Sequence, residues 1–253
     1  MKKILLILLV FTSIANAQKT KRKLVWQENF NGNSLNQNHW NFETGDGCPN
    51  LCGWGNNENQ IYTTKNHQIK NGKLIIEARK EAQTYTSTKI TTKTKKEFLY
   101  GRIEARAKLP IGTGLWPAFW MLGANIDQIK WPKCGEIDIL EYVGKAPHEI
   151  FTTIHSQSSF GNTINTKKTS FPNIEKGFHL YAIDWTTEKI DFLVDEKIVY
   201  TYKPDQKTDD TWPFNKPFYI IVNLAIGGNF GGPEIDQKAL PQKFIVDYIK
   251  VYQ

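Results

Sequence analysis

The sequence predicts an all-β protein, on three observations. Period-two alternation is cleanest over residues 101–109, with Ile103, Ala105, Ala107 and Leu109 on one face and Arg102, Glu104, Arg106 and Lys108 on the other. Runs of β-branched and aromatic residues are punctuated by turn dipeptides such as Asn31-Gly32 and Asn71-Gly72. No segment of ordinary helix length carries a helical apolar period, and no internal repeat is present.

The chain opens on a processing signal. Lys2 and Lys3 precede an apolar run at residues 4–10, and Ala15-Asn16-Ala17 is a small-residue cleavage site. A signal peptide is therefore expected over residues 1–17, then a polar lead-in over 18–23 and one domain over 24–253. No Cys follows the cleavage site to take a lipid anchor, and no other apolar run is long enough to span a bilayer. An exported monomer is expected, secreted or periplasmic and without membrane association. Net charge is +7, of which Lys2 and Lys3 supply two, and the remaining Lys residues are scattered. No basic stripe interleaved with aromatics suggests nucleic acid.

The elements follow in order. Residues 24–30 form a first strand before the Asn31-Gly32 turn. Residues 45–59, GDGCPNLCGWGNNEN, make a loop too long for a tight hairpin; ordered loops of this length often bind ligands, and Trp54, Asn57 and Glu58 are its chemically interesting members. Cys48 and Cys52 lie close enough to close a small disulfide loop, and free thiols fit the spacing as well. Cys134 is left over beside Glu136, and no CxxC pair or His cluster suggests zinc. After Asn71-Gly72, Leu74, Ile76 and Ala78 alternate with Ile75, Glu77 and Arg79, and residues 84–94 are a Thr-rich β segment.

Residues 112–123, GTGLWPAFWMLG, bring Trp116, Phe119 and Trp120 together. Rings at this density serve as core or as platforms for sugar rings, and Trp131 ahead of an acidic strand favours the second use. Residues 150–155 form a partner strand that sets His155 across from the acids, where it is either structural or part of a site. Strands are expected over 180–185, 189–194 and 199–202, with a Trp212-containing turn at 211–216. Residues 218–225 are almost wholly apolar, as in a strand buried on both faces, and Asn223 within them is either satisfied internally or turned to a cleft. The loop GGNFGG at 227–232 lacks the strand-to-helix context and Lys of a phosphate cradle. Residues 244–252 make the last strand.

The chemistry concentrates in GEIDILEY, residues 135–142. On a regular strand Glu136 and Asp138 share a face, and Glu141 falls one place late; one extra residue absorbed as a β-bulge returns it to that face. A solvated strand face or a hard-cation site would also use such acids. The apolar Ile137, Ile139 and Leu140 instead indicate an inner strand with a buried back. Paired carboxylates on one wall of a cleft are the equipment of glycoside hydrolysis.

Seven segments, in order, carry a resemblance: GWGNNENQIYT, YGRIEARAKLP, GLWPAFWMLG, WPKCGEIDILEYVG, FHLYAIDW, NLAIGGNFGG and VDYIKVYQ. Together they resemble glycoside hydrolase family 16, and within it the bacterial laminarinases, over nearly the whole chain after residue 24. The resemblance implies a jelly-roll sandwich of two curved antiparallel sheets with a concave substrate groove. It implies Glu136 as nucleophile, Glu141 as general acid/base and Asp138 as the hydrogen-bonding neighbour of the nucleophile. It implies substrate contacts at Asn57, Trp116, Trp120 and Trp131, with Arg102 and His155 as further groove candidates. No catalytic cofactor is expected. A structural calcium of the family would use Gly72, Asp247 and Asn29, where Asn29 stands in place of a common acid and removes a charge. The implied activity is retaining endo-hydrolysis of β-1,3-glucan. Alternatives are agar- or carrageenan-type galactans, mixed-linkage glucan, and a non-catalytic glucan-binding protein, which would have no need of both glutamates.

Overall fold

The computed structural model describes residues 22–253. The expected signal peptide, and residues 18–21 of the lead-in, lie outside the described residues. Two β-sheets account for nearly all the regular structure, and the only helical pieces described are single turns at Cys52–Gly55, Ile126–Ile129 and Gly228–Gly231. No described helix is long and apolar enough to cross a membrane.

One sheet runs Thr166–Ser170, Glu149–His155, Glu136–Glu141, Leu115–Gly123, Phe218–Ile226, Lys89–Thr91, Asn41–Glu43. The other runs Lys197–Tyr202, Ile190–Val194, His179–Trp185, Gly101–Lys108, Gln242–Tyr252, Leu74–Glu81, then Thr84–Ser87 and Gln60–Tyr62. Pairing is antiparallel except between the last two. The sheets stack because each offers an apolar face. Ile103, Ala105 and Ala107 of one share a single buried cluster with Phe119, Met121, Ile137, Ile139 and Leu140 of the other. Strand alternation then sends the remaining side chains outward, on opposite sides of the sandwich.

The Phe218–Ile226 strand is buried at every position, as its composition predicts. The Thr-rich stretch behaves differently from a single strand. Thr84–Ser87 belongs to one sheet and Lys89–Thr91 to the other, with Thr88 at the crossing, where its hydroxyl donates to the Thr63 carbonyl at 2.7 Å. This switch carries Lys89 onto the sheet that holds the acids.

Candidate active site

The acidic strand is bulged. Phe119 pairs with Leu140 but Trp120 pairs with Asp138, so Ile139 is the extra residue, and the register slips against Glu149–His155 at the same point. Ile139 and Leu140 are both fully buried in the core. Glu136, Asp138 and Glu141 therefore share the outward face of an inner strand.

Each acid has a distinct environment. The Trp131 indole N–H donates to Glu136 at 2.7 Å. The Trp116 N–H donates to one Glu141 oxygen at 3.1 Å, and the Thr153 hydroxyl to the other at 3.3 Å. His155, directly across from Glu136, brings Nε2 to 3.5 Å from Asp138 and 3.9 Å from Glu136. Burial holds the Asp138 carboxyl well above the usual range, reinforced by the charges of Glu136 and Glu141 and by its hydrogen bond with Glu136. Burial, then the charge of Glu136, pushes Glu141 up to about 7 against the opposing hydrogen bonds from Trp116 and Thr153. About half of the Glu141 carboxyls thus hold, at pH 7, a proton that they can give away. Cys134, fully buried nearby, is pushed up to about 12 by burial and is an inert thiol. Among the described residues, Glu136, Asp138 and His155 are the one group spaced to take a metal ion, with ligand atoms within 4.8 Å of one another.

A second polar system lies along the same face. Strand register sets Glu43, Lys89, Asn223, Ala118 and Glu141 in one row across the sheet. Lys89 pairs with Glu43 at 2.7 Å, and its ammonium sits 4.2 Å from the Trp54 ring and 5.3 Å from the Trp120 ring. The Trp120 N–H donates to Asn223, Asn223 donates to the Tyr62 hydroxyl, and Tyr62 donates to Glu58, at 2.8, 3.0 and 3.1 Å. Asn223, buried, is thus satisfied internally. Asn57 is exposed at the rim with a left-handed backbone (φ 54°), and its amide donates to Asn229 of the Gly-rich loop at 2.9 Å. Cys48 and Cys52 are disulfide-bonded within the same loop.

Glu43, Lys89 and Asn223 thus lie in a row across the sheet that ends at the set of acids. The sequence profile of Glycosyl hydrolases family 16 matches residues 55–250. The chain belongs to that family. A laminarinase from Flavobacterium sp. UMI-01 has a crystal structure that superposes with a TM-score of 0.90 at 65% identity, covering 91% of this chain and 100% of that one. A "Beta-glucanase" of Rhodothermus marinus is 38% identical over 91% of this chain and 85% of its own length. A "Glucan endo-1,3-beta-glucosidase" of Cryptopygus antarcticus is 37% identical over 90% of each. The sandwich is accordingly the family 16 jelly roll.

Two expectations for this family 16 chain are corrected. Arg102 does not line the acid-bearing face; it belongs to the opposite sheet, pairing with Glu104 and Glu196 at 2.7 Å each. Alternation assigned its face correctly but could not assign its sheet. The calcium set does not fit a hard dication. The Asn29 carbonyl and Asn31 side chain do approach Gly72, but Asp247, the one carboxylate offered, lies 2.5 Å from Arg106 and 3.4 Å from Lys73. Two cations hold the oxygens that the ion would need. Trp116, 9% exposed and packed edge-on against Phe230, presents its N–H to Glu141, whereas Trp131, 42% exposed, leaves much of its ring open to solvent. Sequence reasoning missed Lys89, Glu43 and Thr153. Lys89 was hidden by the strand switch, Glu43 sits on a three-residue strand, and Thr153 gave no signal beyond its place opposite Asp138.

Proposed function

We propose that this chain is a retaining endo-β-1,3-glucanase. One observation carries the reading: on a single strand face, Glu136 accepts a hydrogen bond from Trp131 while burial raises the Glu141 carboxyl to about 7. Glu136 attacks the anomeric carbon as Glu141 gives its proton to the leaving oxygen, which leaves a glycosyl ester on Glu136. Glu141, now a carboxylate, takes a proton from water; that water attacks the same carbon and frees Glu136. Asp138, protonated and hydrogen-bonded to Glu136, orients the nucleophile without adding a third negative charge. Side chains of one chain supply every group in both displacements, so no cofactor enters and a monomer suffices. The relatives named as laminarinase and endo-1,3-β-glucosidase support the linkage.

A sulfated galactan would need an uncompensated cation beside the acids. Lys89 is neutralised by Glu43, and Arg102 and Arg106 lie on the other sheet, so none of these three offers a sulfate such a cation. The Cys48–Cys52 disulfide favours an exported protein, in keeping with the leader expected at residues 1–17. The test is product analysis of residues 18–253 on laminarin, lichenan, agarose and κ-carrageenan, with Glu141→Gln as control. Oligosaccharides from laminarin that first appear as the β-anomer, and are lost in the control, support the proposal. Products from a galactan alone, or binding of laminarin without cleavage, overturn it.

A further inference from the structure

The flank of the acidic strand away from Asn223 carries two aromatic rings that the core does not use. Trp131 and Phe160 are 42% and 47% exposed, and neither belongs to a buried hydrophobic cluster. They meet edge to face at 5.4 Å and 81°, and Trp131 in turn lies 6.0 Å from the His155 ring. Trp131 is fixed at its other end, because its N–H is bonded to Glu136. An exposed aromatic pair anchored on the nucleophile is surface that water hydrates poorly and that folding gains little by displaying.

Phe160 is also held in place by its loop. Ser156 and Ser159 exchange backbone hydrogen bonds at 3.0 Å, and the Ser158 N–H donates to the Asp210 carbonyl at 2.9 Å. Ser159 and Thr163 join hydroxyls at 2.7 Å, and the buried Thr163 donates to Ile154 on the neighbouring strand. Gly161, with φ 64° and open space around it, lets the chain turn immediately after the ring. The result is a single Phe presented at the tip of a tied-down loop.

Resting on the glucanase reading and on the substrate contact that the family implies at Trp131, we propose that Phe160 extends that indole into an aromatic ledge that stacks one sugar ring of the glucan beyond the ring reacting at Glu136. The occupant follows from continuity: the ledge begins at the nucleophile's own hydrogen-bond donor, so a chain seated at Glu136 and leaving the cleft on this flank crosses it. A sugar ring offers an apolar C–H face to an aromatic ring and keeps its hydroxyls in water, which suits a half-exposed surface. Phe160 is then a specificity residue for chain length. It acts on long substrates and has nothing to hold on the shortest.

The test compares kcat/KM on laminarin and on a ladder of β-1,3-linked gluco-oligosaccharides for wild type, Phe160→Ala and Phe160→Trp. In Phe160→Ala the ratio of kcat/KM on long chains to that on the shortest hydrolysed oligomer falls about 3- to 10-fold, through KM, the range expected of one aromatic stacking contact. Phe160→Trp restores the ratio, because it restores the ring. An equal loss at every length would make Phe160 only a prop for Trp131 and overturn the proposal; so would an unchanged ratio. If wild type hydrolyses β-1,3-glucan with a ratio indifferent to Phe160, this inference alone falls. If wild type hydrolyses no β-1,3-glucan, the glucanase reading falls and takes the ledge with it.

Discussion

Replacing Glu141 with Gln should make the protein more stable in neutral and mildly alkaline solution while abolishing turnover. The carboxyl has a folded value of about 7 against an ordinary 4.5, chiefly because it is buried and secondarily because Glu136 is negative. A carboxyl with a raised folded value binds its proton more tightly in the folded chain than in the unfolded one. Its stabilising effect is complete below about 4.5 and is lost as pH rises through about 7. At about 1.36 kcal/mol per unit, this difference amounts to roughly 3 kcal/mol. The amide is isosteric and cannot ionise. Its oxygen accepts from Trp116, and its nitrogen donates to the Thr153 hydroxyl, which can rotate to accept.

The assay is urea denaturation of wild type and Glu141→Gln at pH 4 and pH 8. Every other titrating group is shared by the two chains, so most of its contribution cancels in their difference. At pH 4 the two should be about equal in stability. At pH 8 the variant should be more stable by up to about 3 kcal/mol, or roughly 6–12 °C in Tm for a chain of this size. Losing the Glu141 charge also relieves Asp138, which works in the same direction. A variant no more stable than wild type at pH 8, or one whose advantage is the same at both pH values, would refute the claim that burial raises this carboxyl.

The remaining predictions rest on single contacts. Trp116→Phe removes a donor that favours the ionised form of Glu141, so the basic limb of kcat/KM should move up by about one pH unit; a pH–rate profile moving down would contradict this. Asn223→Ala cuts the relay between Trp120 and Tyr62 and should destabilise by about 1–3 kcal/mol, because the Trp120 N–H loses its acceptor and the buried Tyr62 hydroxyl loses the donor it accepts from; a denaturation curve measures it. Converting Cys48 and Cys52 together to Ala should lower stability by about 2 kcal/mol, as expected for so short a loop, with the same loss on reducing wild type. Because Arg106 and Lys73 hold Asp247, neither chelator nor added calcium should shift Tm, as calorimetry can check.

Much of this was legible from sequence because period-two patterning encodes faces directly. Gly101–Lys108 and Phe218–Ile226 lie where alternation and apolar content set them, and Ile139-Leu140 between acids correctly implied the bulge. What alternation does not encode is which sheet a strand joins. Arg102 has the polar facing expected of it, on the wrong side of the sandwich. The Thr-rich segment has the right conformation but is divided between sheets at Thr88, and this alone delivers Lys89 to Trp54 and Trp120. Ring density likewise marked a Trp-rich strand without showing which indoles offer faces and which, like Trp116, offer only an N–H. Asp247 was expected as a metal ligand, and the neighbours that occupy it come from residues 106 and 73, far apart in sequence.

The bulge raises a separate question, whether the backbone or the acids carry the energetic burden of this site. Bulges gather at sheet edges, yet this one lies in a strand paired on both sides, and both neighbours register the slip. The extra residue forgoes ladder hydrogen bonds worth about 0.5–1.5 kcal/mol each in net terms. That extra residue is Ile139, fully buried, and burying such a side chain contributes about 1.5–3 kcal/mol. The two terms oppose each other and are of the same order, so the bulged backbone carries no large net cost. The acids do: three carboxyls share one face, two of them driven toward their protonated forms, and Glu141 alone accounts for about 3 kcal/mol at alkaline pH. The burden therefore resides in charge and not in chain geometry. Substitutions that neutralise Glu141 should stabilise the fold, and ones that merely reshape Ile139 should destabilise it.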